Sequence, residues 1–164
     1  MSVVIQDANI IIDLIACEIF DDFFKLDIEV YTSSLVLDEI IRPDQKALCE
    51  HVVHQNQLKV VEITTLEYLQ LQAMEANGLS VQDRSVLKLA KDRVATLLTG
   101  DRKLRRMARA QAVEVCGILW VFDALVEQAI CSRSDAVIKL RLLKDSNIRL
   151  PVNEIDKRIR EWSE

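Results

Sequence analysis

The N-terminal segment constrains the fold most, because it has the pattern of a buried strand that turns directly into a helix. Val3–Ile5 is a β-branched run typical of buried strands. The run stops at Asp7-Ala8-Asn9, and apolar residues then return with helical spacing, at Ile11 and Leu14. In open α/β sheets, ligands bind at the carboxyl ends of the strands. We therefore expect Asp7 to lie in a crevice at that edge.

Composition limits the class of protein. The chain has 164 residues, of which 50% are hydrophobic and 29% charged, which indicates a folded globular protein. The net charge of −5 argues against a general nucleic-acid binder, but it allows an enzyme with a local basic rim around an acidic, metal-filled centre. Four dispersed cysteines and no secretory segment favour a cytoplasmic protein. The longest apolar run, Val115–Phe122, is too short to span a membrane.

Strand-like runs alternate with helical patterns along the chain. The runs are Val3–Ile5, Ile28–Thr32, Leu58–Ile63, Val94–Thr99 and Val113–Cys116. This alternation predicts βα units and a mainly parallel sheet of about five strands, covered by helices on both faces. Helices are predicted after Gly117, at Ile118–Ile130, Ser134–Ser146 and Val152–Trp162. We expect a single domain over residues 1–164, with 118–164 as a C-terminal helical extension of that domain.

Four acidic residues recur where the strands end. Asp7 and Asp101 directly follow strands, whereas Glu39 and Asp83 are predicted early in helices on the same side of the sheet. These four side chains can converge at the switch point of a parallel sheet. Close carboxylates repel one another unless a cation is bound, and oxygen ligands without His or Cys suit magnesium or manganese. Such a metal orients water and offsets charge on a phosphoryl group.

Some of these polar residues also have purely structural interpretations. Asp83 completes a capping box that begins at Ser80, and Asp101 is a possible N-cap. Glu39 could be a solvated helical residue. Asn9 could cap the first helix or hold water at a metal. The ordered set of four acids is more specific than any one of them.

A basic helix is predicted immediately after Asp101. Its cations are Arg102, Lys103, Arg105, Arg106 and Arg109. Arg102 and Arg106 share an i,i+4 face, and we favour that face for contacts with phosphate groups. The alternative is an ordinary solvated helix face.

Four short motifs resemble those of the PIN-domain nucleases. The first is Asp7-Ala8-Asn9, the second is Val36-x-x-Glu39, and the third is Gly78-Leu79-Ser80-x-x-Asp83. The fourth is Leu98-Thr99-Gly100-Asp101-x-x-Leu104, and the resemblance covers about residues 2–120. The segment Gly117-Ile118-Leu119 with its following helices is similar to a prokaryotic PIN subgroup often encoded beside small antitoxin genes. Arg84 departs from the family pattern, in which a small residue often follows the third acid.

The resemblance implies a parallel three-layer α/β/α sandwich and a metal-dependent endoribonuclease. It implies that Asp7, Glu39, Asp83 and Asp101 are the catalytic metal ligands for magnesium or manganese, with Asn9 and Thr99 as supporting polar groups. The toxin (VapC-like) members of this family suggest RNA as the substrate, a small antitoxin as the partner, and a homodimer. The alternatives are an RNA-processing PIN nuclease without a toxin role and a non-catalytic PIN-like binding module.

Overall fold

A five-stranded parallel sheet forms the centre of the computed structural model, which describes residues 2–74, 78–147 and 149–164. The strands are β1 (Ser2–Gln6), β2 (Ile28–Ser33), β3 (Leu58–Val61), β4 (Thr96–Leu98) and β5 (Val115–Cys116). Their order in the sheet is β3-β2-β1-β4-β5, and all neighbours are parallel. The chain therefore builds outward from β1 in one direction and later returns to its other side with β4. This reversal places a topological switch point between β1 and β4.

Helices flank the sheet, as the alternating sequence pattern predicts. The first five are α1 (Ala8–Ala16), α2 (Phe20–Phe23), α3 (Ser34–Leu37), α4 (Pro43–His54) and α5 (Thr65–Ala73). They are followed by α6 (Val81–Arg93), α7 (Arg102–Ala110), α8 (Ile118–Glu127), α9 (Arg133–Ser146) and α10 (Val152–Ser163). The predicted fold class, an α/β sandwich with a parallel sheet, is thus confirmed. None of the helices in the described part of the chain is long and apolar enough to cross a membrane.

The core lies between the central strand and the helices that pack on it. Ile5 on β1 and Ile10 and Leu14 on α1 are fully buried, because α1 turns its apolar stripe toward the sheet. The C-terminal helices contribute to the same buried cluster through Leu143 on α9 and Ile155 on α10. Helix α9 also packs directly on α1. Helix α9 therefore lies beside the helix that begins at Asp7.

The predicted strand over Val94–Thr99 is shorter in the structure. Val94 ends α6 in the left-handed conformation, with a φ of 51° and a ψ of 46°. The Ala95 amide donates to the Ala90 carbonyl, so both residues belong to the helix terminus. β3 likewise ends before Ile63, and β5 begins after Val113.

The predicted helical position of Glu39 is wrong. Ser33 caps α3 as expected, accepting a hydrogen bond from the Val36 amide, but the helix ends at Leu37. The Glu39 amide bonds to the Val36 carbonyl, an i→i+3 contact that tightens the chain into a turn. Glu39 is therefore exposed in a turn that follows α3.

Candidate active site

Asp7 and Asp101 follow the two strands that border the switch point. Asp7 is the N-cap of α1, and its Oδ1 accepts a hydrogen bond from the Ile10 amide at 2.9 Å. Its Oδ2 accepts from the hydroxyl of Thr99, which is fully buried at the end of β4. The same hydroxyl oxygen accepts from the Asp101 amide at 3.1 Å. Thr99 therefore links the two acid positions through its hydroxyl.

Asp101 and Asp83 both cap helices, so the structural interpretation of each is correct. Asp101 begins α7 and accepts from the Leu104 amide at 2.8 Å. Asp83 forms a reciprocal capping box with Ser80, in which the two amide-to-side-chain hydrogen bonds are each 3.0 Å. Each cap occupies one carboxylate oxygen. A carboxylate has two oxygens with several lone pairs, so capping leaves acceptor capacity for a second role.

The electrostatics show that the acids lie near one another. Asp7 is only 5% exposed, and its burial raises the pKa of this carboxyl to about 7. The negative charges of Asp83 and Asp101 also raise this pKa, against the opposing hydrogen bonds from Thr99 and Ile10. For Glu39, loss of surrounding water and the charge of Asp83 together raise the pKa. All four predicted acids therefore belong to one interacting set.

The donor chemistry of this set fits a hard divalent cation. The four acids offer carboxylate oxygens alone, as magnesium and manganese prefer, and a cation would offset their mutual repulsion. In the capping geometry, however, no three His, Cys, Asp or Glu side chains within residues 2–74, 78–147 and 149–164 stand where they could hold one ion together. Metal binding would thus require rotation of exposed or half-exposed carboxylates such as Glu39 and Asp83.

An open cleft of about 1290 Å³ borders two of the four acids. Asp83, Asp101 and Asn9 line it, whereas Asp7 is buried. Asn9 is exposed inside α1, and Asp7 caps this helix, so the interpretation of Asn9 as the cap is wrong. The position of Asn9 on the cleft is compatible with its predicted role as a supporting polar group.

Some basic side chains of α7 line the cleft, and one makes hydrogen bonds to the protein backbone. Arg102 and Lys103 line the cleft, while Arg106 is exposed and is not among the lining residues. Arg105 is half-buried, and its guanidinium donates to the Thr99 carbonyl at 2.8 Å and the Cys116 carbonyl at 3.0 Å. Arg105 therefore joins α7 to the ends of β4 and β5, which stabilises the segment that carries Thr99.

Arg84, which departs from the family pattern, has a structural role. Its guanidinium donates to the Leu71 carbonyl at 2.9 Å and the Gln72 carbonyl at 3.0 Å. These carbonyls are in the last turn of α5, where helix carbonyls lack intrahelical partners. Arg84 thus ties α5 to α6 beside the third acid.

Three further cleft residues are not signalled by any local pattern. Asp13 lies on α1, while Asn147 and Arg149 lie in the turn between α9 and α10. Asn147 is hydrogen-bonded to Asp13 although the two are 134 residues apart. A contact of such separation has no signature in a single sequence, and only the fold brings these residues to the cleft.

Solved structures show similarity in fold. PAE2754 from Pyrobaculum aerophilum has 22% sequence identity and a TM-score of 0.50, and the match covers 80% of this chain and 100% of that chain. A chain of VapBC2 from Rickettsia felis, in a structure bound to a DNA fragment from their promoter, has 17% identity and a TM-score of 0.49 over 70% of this chain and 98% of that chain. A domain of a functionally unknown protein from Methanocaldococcus jannaschii has 18% identity and a TM-score of 0.46, over 71% and 91% of the two chains.

The sequence matches a protein family over almost its whole length. No curated protein matches the chain. The family model described as "DUF3368: PIN domain" matches residues 3–164, which include all four acids, the cleft and the C-terminal helices. The parallel sheet and the acids at its switch point agree with the resemblance found in the sequence motifs. The chain therefore belongs to the PIN-domain family.

Proposed function

We propose that the protein is a metal-dependent endoribonuclease that hydrolyses phosphodiester bonds in this cleft. PIN domains are generally nucleases, and this chain is matched as one from residue 3 to residue 164. The observation that carries the proposal is Asp7, a buried carboxyl at the switch point whose pKa is raised by burial and by two neighbouring carboxylates. A buried acid in this position is stabilised in its charged form when a cation binds beside it.

The four acids have distinct places in the proposed site. Asp7 would hold magnesium or manganese from the buried side, Asp83 and Asp101 from the cleft, and Glu39 from the turn beside Asp83. The bound metal would orient a water molecule and offset the negative charge of the phosphoryl group. Thr99 keeps the Asp7 carboxylate oriented by hydrogen bonding, and Asn9 presents a polar group to the cleft.

Cleavage of a labelled RNA by the purified protein tests this function. We expect cleavage with magnesium or manganese, none with EDTA, and none from Asp7→Asn or Asp83→Asn protein. Asparagine remains a good capping residue, so both variants should stay folded. Asp135→Asn is the control, because Asp135 lies in the first turn of α9, donates its amide to the N-cap Ser132 and accepts from the Ser132 hydroxyl, but does not line the cleft. Cleavage in EDTA, or full activity of Asp83→Asn, would contradict the proposed metal site.

We also propose that this nuclease is the toxin of a toxin–antitoxin pair. The support is the resemblance of Gly117-Ile118-Leu119 and the helices after it to a prokaryotic PIN subgroup. The four acids repel one another when no metal is bound, so a basic side chain of a small antitoxin would be drawn to them. Expression of the wild type should slow bacterial growth, Asp7→Asn protein should not, and a small protein encoded beside the gene should restore growth. Equal growth with both variants would favour an RNA-processing nuclease or a non-catalytic binding module.

A further inference from the structure

The turn between α9 and α10 belongs to the wall of the cleft. Ser146, Asn147, Arg149, Leu150 and Pro151 line the same cleft as Asp83 and Asp101. The C-terminal helices are therefore more than a cover for the hydrophobic core. The part of the turn at Asn147 and Arg149 faces the space in which a substrate would lie.

Asn147 fastens this turn to the helix that begins at Asp7. Its Nδ2 donates to both carboxylate oxygens of Asp13, at 3.1 and 3.0 Å, and its Oδ1 accepts from the Arg149 amide at 3.0 Å. Asp13 lies on α1, the helix capped by Asp7. One side chain thus fixes the backbone of Arg149 relative to the acidic centre.

The cleft gathers cations that have no ion-pair partner among the described residues. Arg149, Arg102 and Lys103 all line the cleft and are exposed, and none forms a salt bridge within that part of the chain. The positive charge of Arg149 does act on Asp13, where it opposes the rise in the pKa that burial causes. On the same C-terminal helices, Lys144 pairs with Asp156 at 2.7 Å and Arg158 pairs with Asp123 at 2.6 Å, so these two cations are already engaged. The same cleft is also lined by Asp13, Asp83 and Asp101, so it presents both charges, and an anion would be held at the three exposed cations.

The dimensions and charge of the cleft favour a polymer over a small anion. Pockets for small molecules are typically about 300–1,000 Å³, whereas this cleft is open and measures about 1290 Å³. Its cations come from two separate elements, the start of α7 and the α9–α10 turn, so they suit successive charges along a chain. Trp120 also lines the cleft and offers an aromatic surface for a base.

We propose that the α9–α10 turn is a phosphate-binding subsite for single-stranded RNA, in which Arg149 contacts the backbone and Asn147 is the positioning residue that holds it. The inference rests on the proposed function, because an RNA nuclease needs a path for its substrate on both sides of the acids. It assigns the C-terminal helices a part in substrate binding that is separate from the metal ligands.

The test is equilibrium binding of a fluorescein-labelled single-stranded oligoribonucleotide in EDTA, measured over a range of salt concentrations. Each phosphate contact on a single strand contributes about 0.7 to the salt slope of log K, which amounts to roughly fivefold in affinity at 0.1 M salt. Arg149→Ala should raise Kd by about that factor and lower the slope by about 0.7. Arg141→Ala is the matched control, since Arg141 is an exposed cation on α9 that does not line the cleft.

The role of Asn147 is tested by a double-mutant cycle. Asn147→Ala should raise Kd and lower the salt slope as Arg149→Ala does, and the double variant should be no weaker than Arg149→Ala alone. A loss that is fully additive would overturn the positioning role. A simple loss of stability at position 147 would not change the salt slope, so the slope separates the two explanations.

Two results would overturn the subsite. One is a salt slope for Arg149→Ala equal to that of Arg141→Ala. The other is an Arg149→Ala variant that loses binding of an oligoglutamate peptide but keeps its affinity for RNA. That result would assign the turn to an acidic protein partner.

Cleavage is measured separately with magnesium. Wild-type protein that binds RNA through Arg149 without cleaving it would contradict the nuclease proposal alone, and cleavage with no effect of Arg149→Ala on binding would contradict this inference alone.

Discussion

Asp7 meets two requirements that oppose each other. As the cap of α1 it is stabilised as an anion by the Ile10 amide, yet at 5% exposure it lies where charge is costly. Burial outweighs the hydrogen bonds, so the pKa of the carboxyl rises from its ordinary 3.8 to about 7. The metal-free protein therefore keeps a proton on Asp7 at pH values where an exposed aspartate has lost it.

This shift predicts how the stability of the metal-free protein depends on pH. The unfolded chain releases the Asp7 proton near pH 3.8, whereas the folded protein keeps it until about pH 7. The contribution of Asp7 is thus fully present below pH 3.8 and is lost as the pH rises through 7. Relative to Asp7→Asn, the free energy of unfolding of the wild type should fall by up to about 1.4 kcal/mol per pH unit across this interval.

Denaturant unfolding in EDTA, from pH 4 to pH 8, measures this difference. Asp145→Asn, which replaces an exposed carboxylate, should follow the wild type and serves as the control. Parallel pH profiles for the wild type and Asp7→Asn would show that the pKa of Asp7 is not raised in the folded protein.

Val94 provides an independent prediction about the backbone. It is 95% exposed, so it gains little from packing, and a β-branched residue is strained in the left-handed conformation that it adopts. This conformation costs a residue with a side chain about 1–2 kcal/mol. Glycine avoids that cost, but it loses about 0.5–1 kcal/mol more conformational entropy than other residues when the chain folds. Val94→Gly should therefore stabilise the protein by roughly 0.5–1 kcal/mol. Val94→Thr keeps the β-branch and should leave the thermal midpoint unchanged, and an equal midpoint for both variants would contradict the strain.

Among the helices, α7 is one whose positive charge could be predicted from the sequence. The side of α7 that faces the cleft could be predicted only in part. The run of basic residues after Asp101 identified a helix with cations near the site, and Arg102 does line the cleft. The favoured partner Arg106 shares its i,i+4 face but is not among the lining residues, whereas Lys103 and Arg105 are. Which side of a helix faces a cleft depends on the elements packed around it, and these are not encoded in its own periodicity.

Substitutions along α7 should accordingly have different effects. Arg102→Ala should lower the salt slope of RNA binding by about 0.7, because it removes a cation from the cleft. Arg106→Ala should leave that slope unchanged. Arg105→Ala leaves the Thr99 and Cys116 carbonyls without their charged donor, so it should destabilise the protein by about 1–3 kcal/mol. Salt titrations of RNA binding and denaturant unfolding of the three variants check these expectations. If Arg106→Ala lowered the salt slope as much as Arg102→Ala, the face shared by Arg102 and Arg106 would be the one that contacts RNA.

Other elements show where local patterns suffice and where they do not. The β1–α1 and β4–α7 junctions were predictable because each combines a short apolar run, an acid and a helix start within a few residues. The turn at Glu39 was not, since the i→i+3 hydrogen bonds that end α3 leave no distinct residue pattern. The pairing of Asn147 with Asp13 depends on α9 packing against α1, which only the complete fold determines.

For the whole molecule, the acidic cluster predicts that metal binding and stability are coupled. An ion that binds only the folded state stabilises it by about 2.7 kcal/mol at one hundred times its Kd. Magnesium should raise the thermal midpoint of the wild type more at pH 8 than at pH 5, because protons compete for Asp7 at the lower pH. Asp7→Asn should lose most of this response. Equal shifts in both proteins, measured by calorimetry, would place the ion elsewhere.

The double use of the acids as helix caps has an evolutionary consequence. Asp7 and Asp101 begin helices, and Asp83 completes a capping box, so selection for a stable fold acts on all three positions even in a descendant that no longer has a substrate. Glu39 lies in an exposed turn and caps no helix. In lineages that lose activity, position 39 should therefore drift first, and retention of glutamate there is the better mark of a chain still under selection for chemistry.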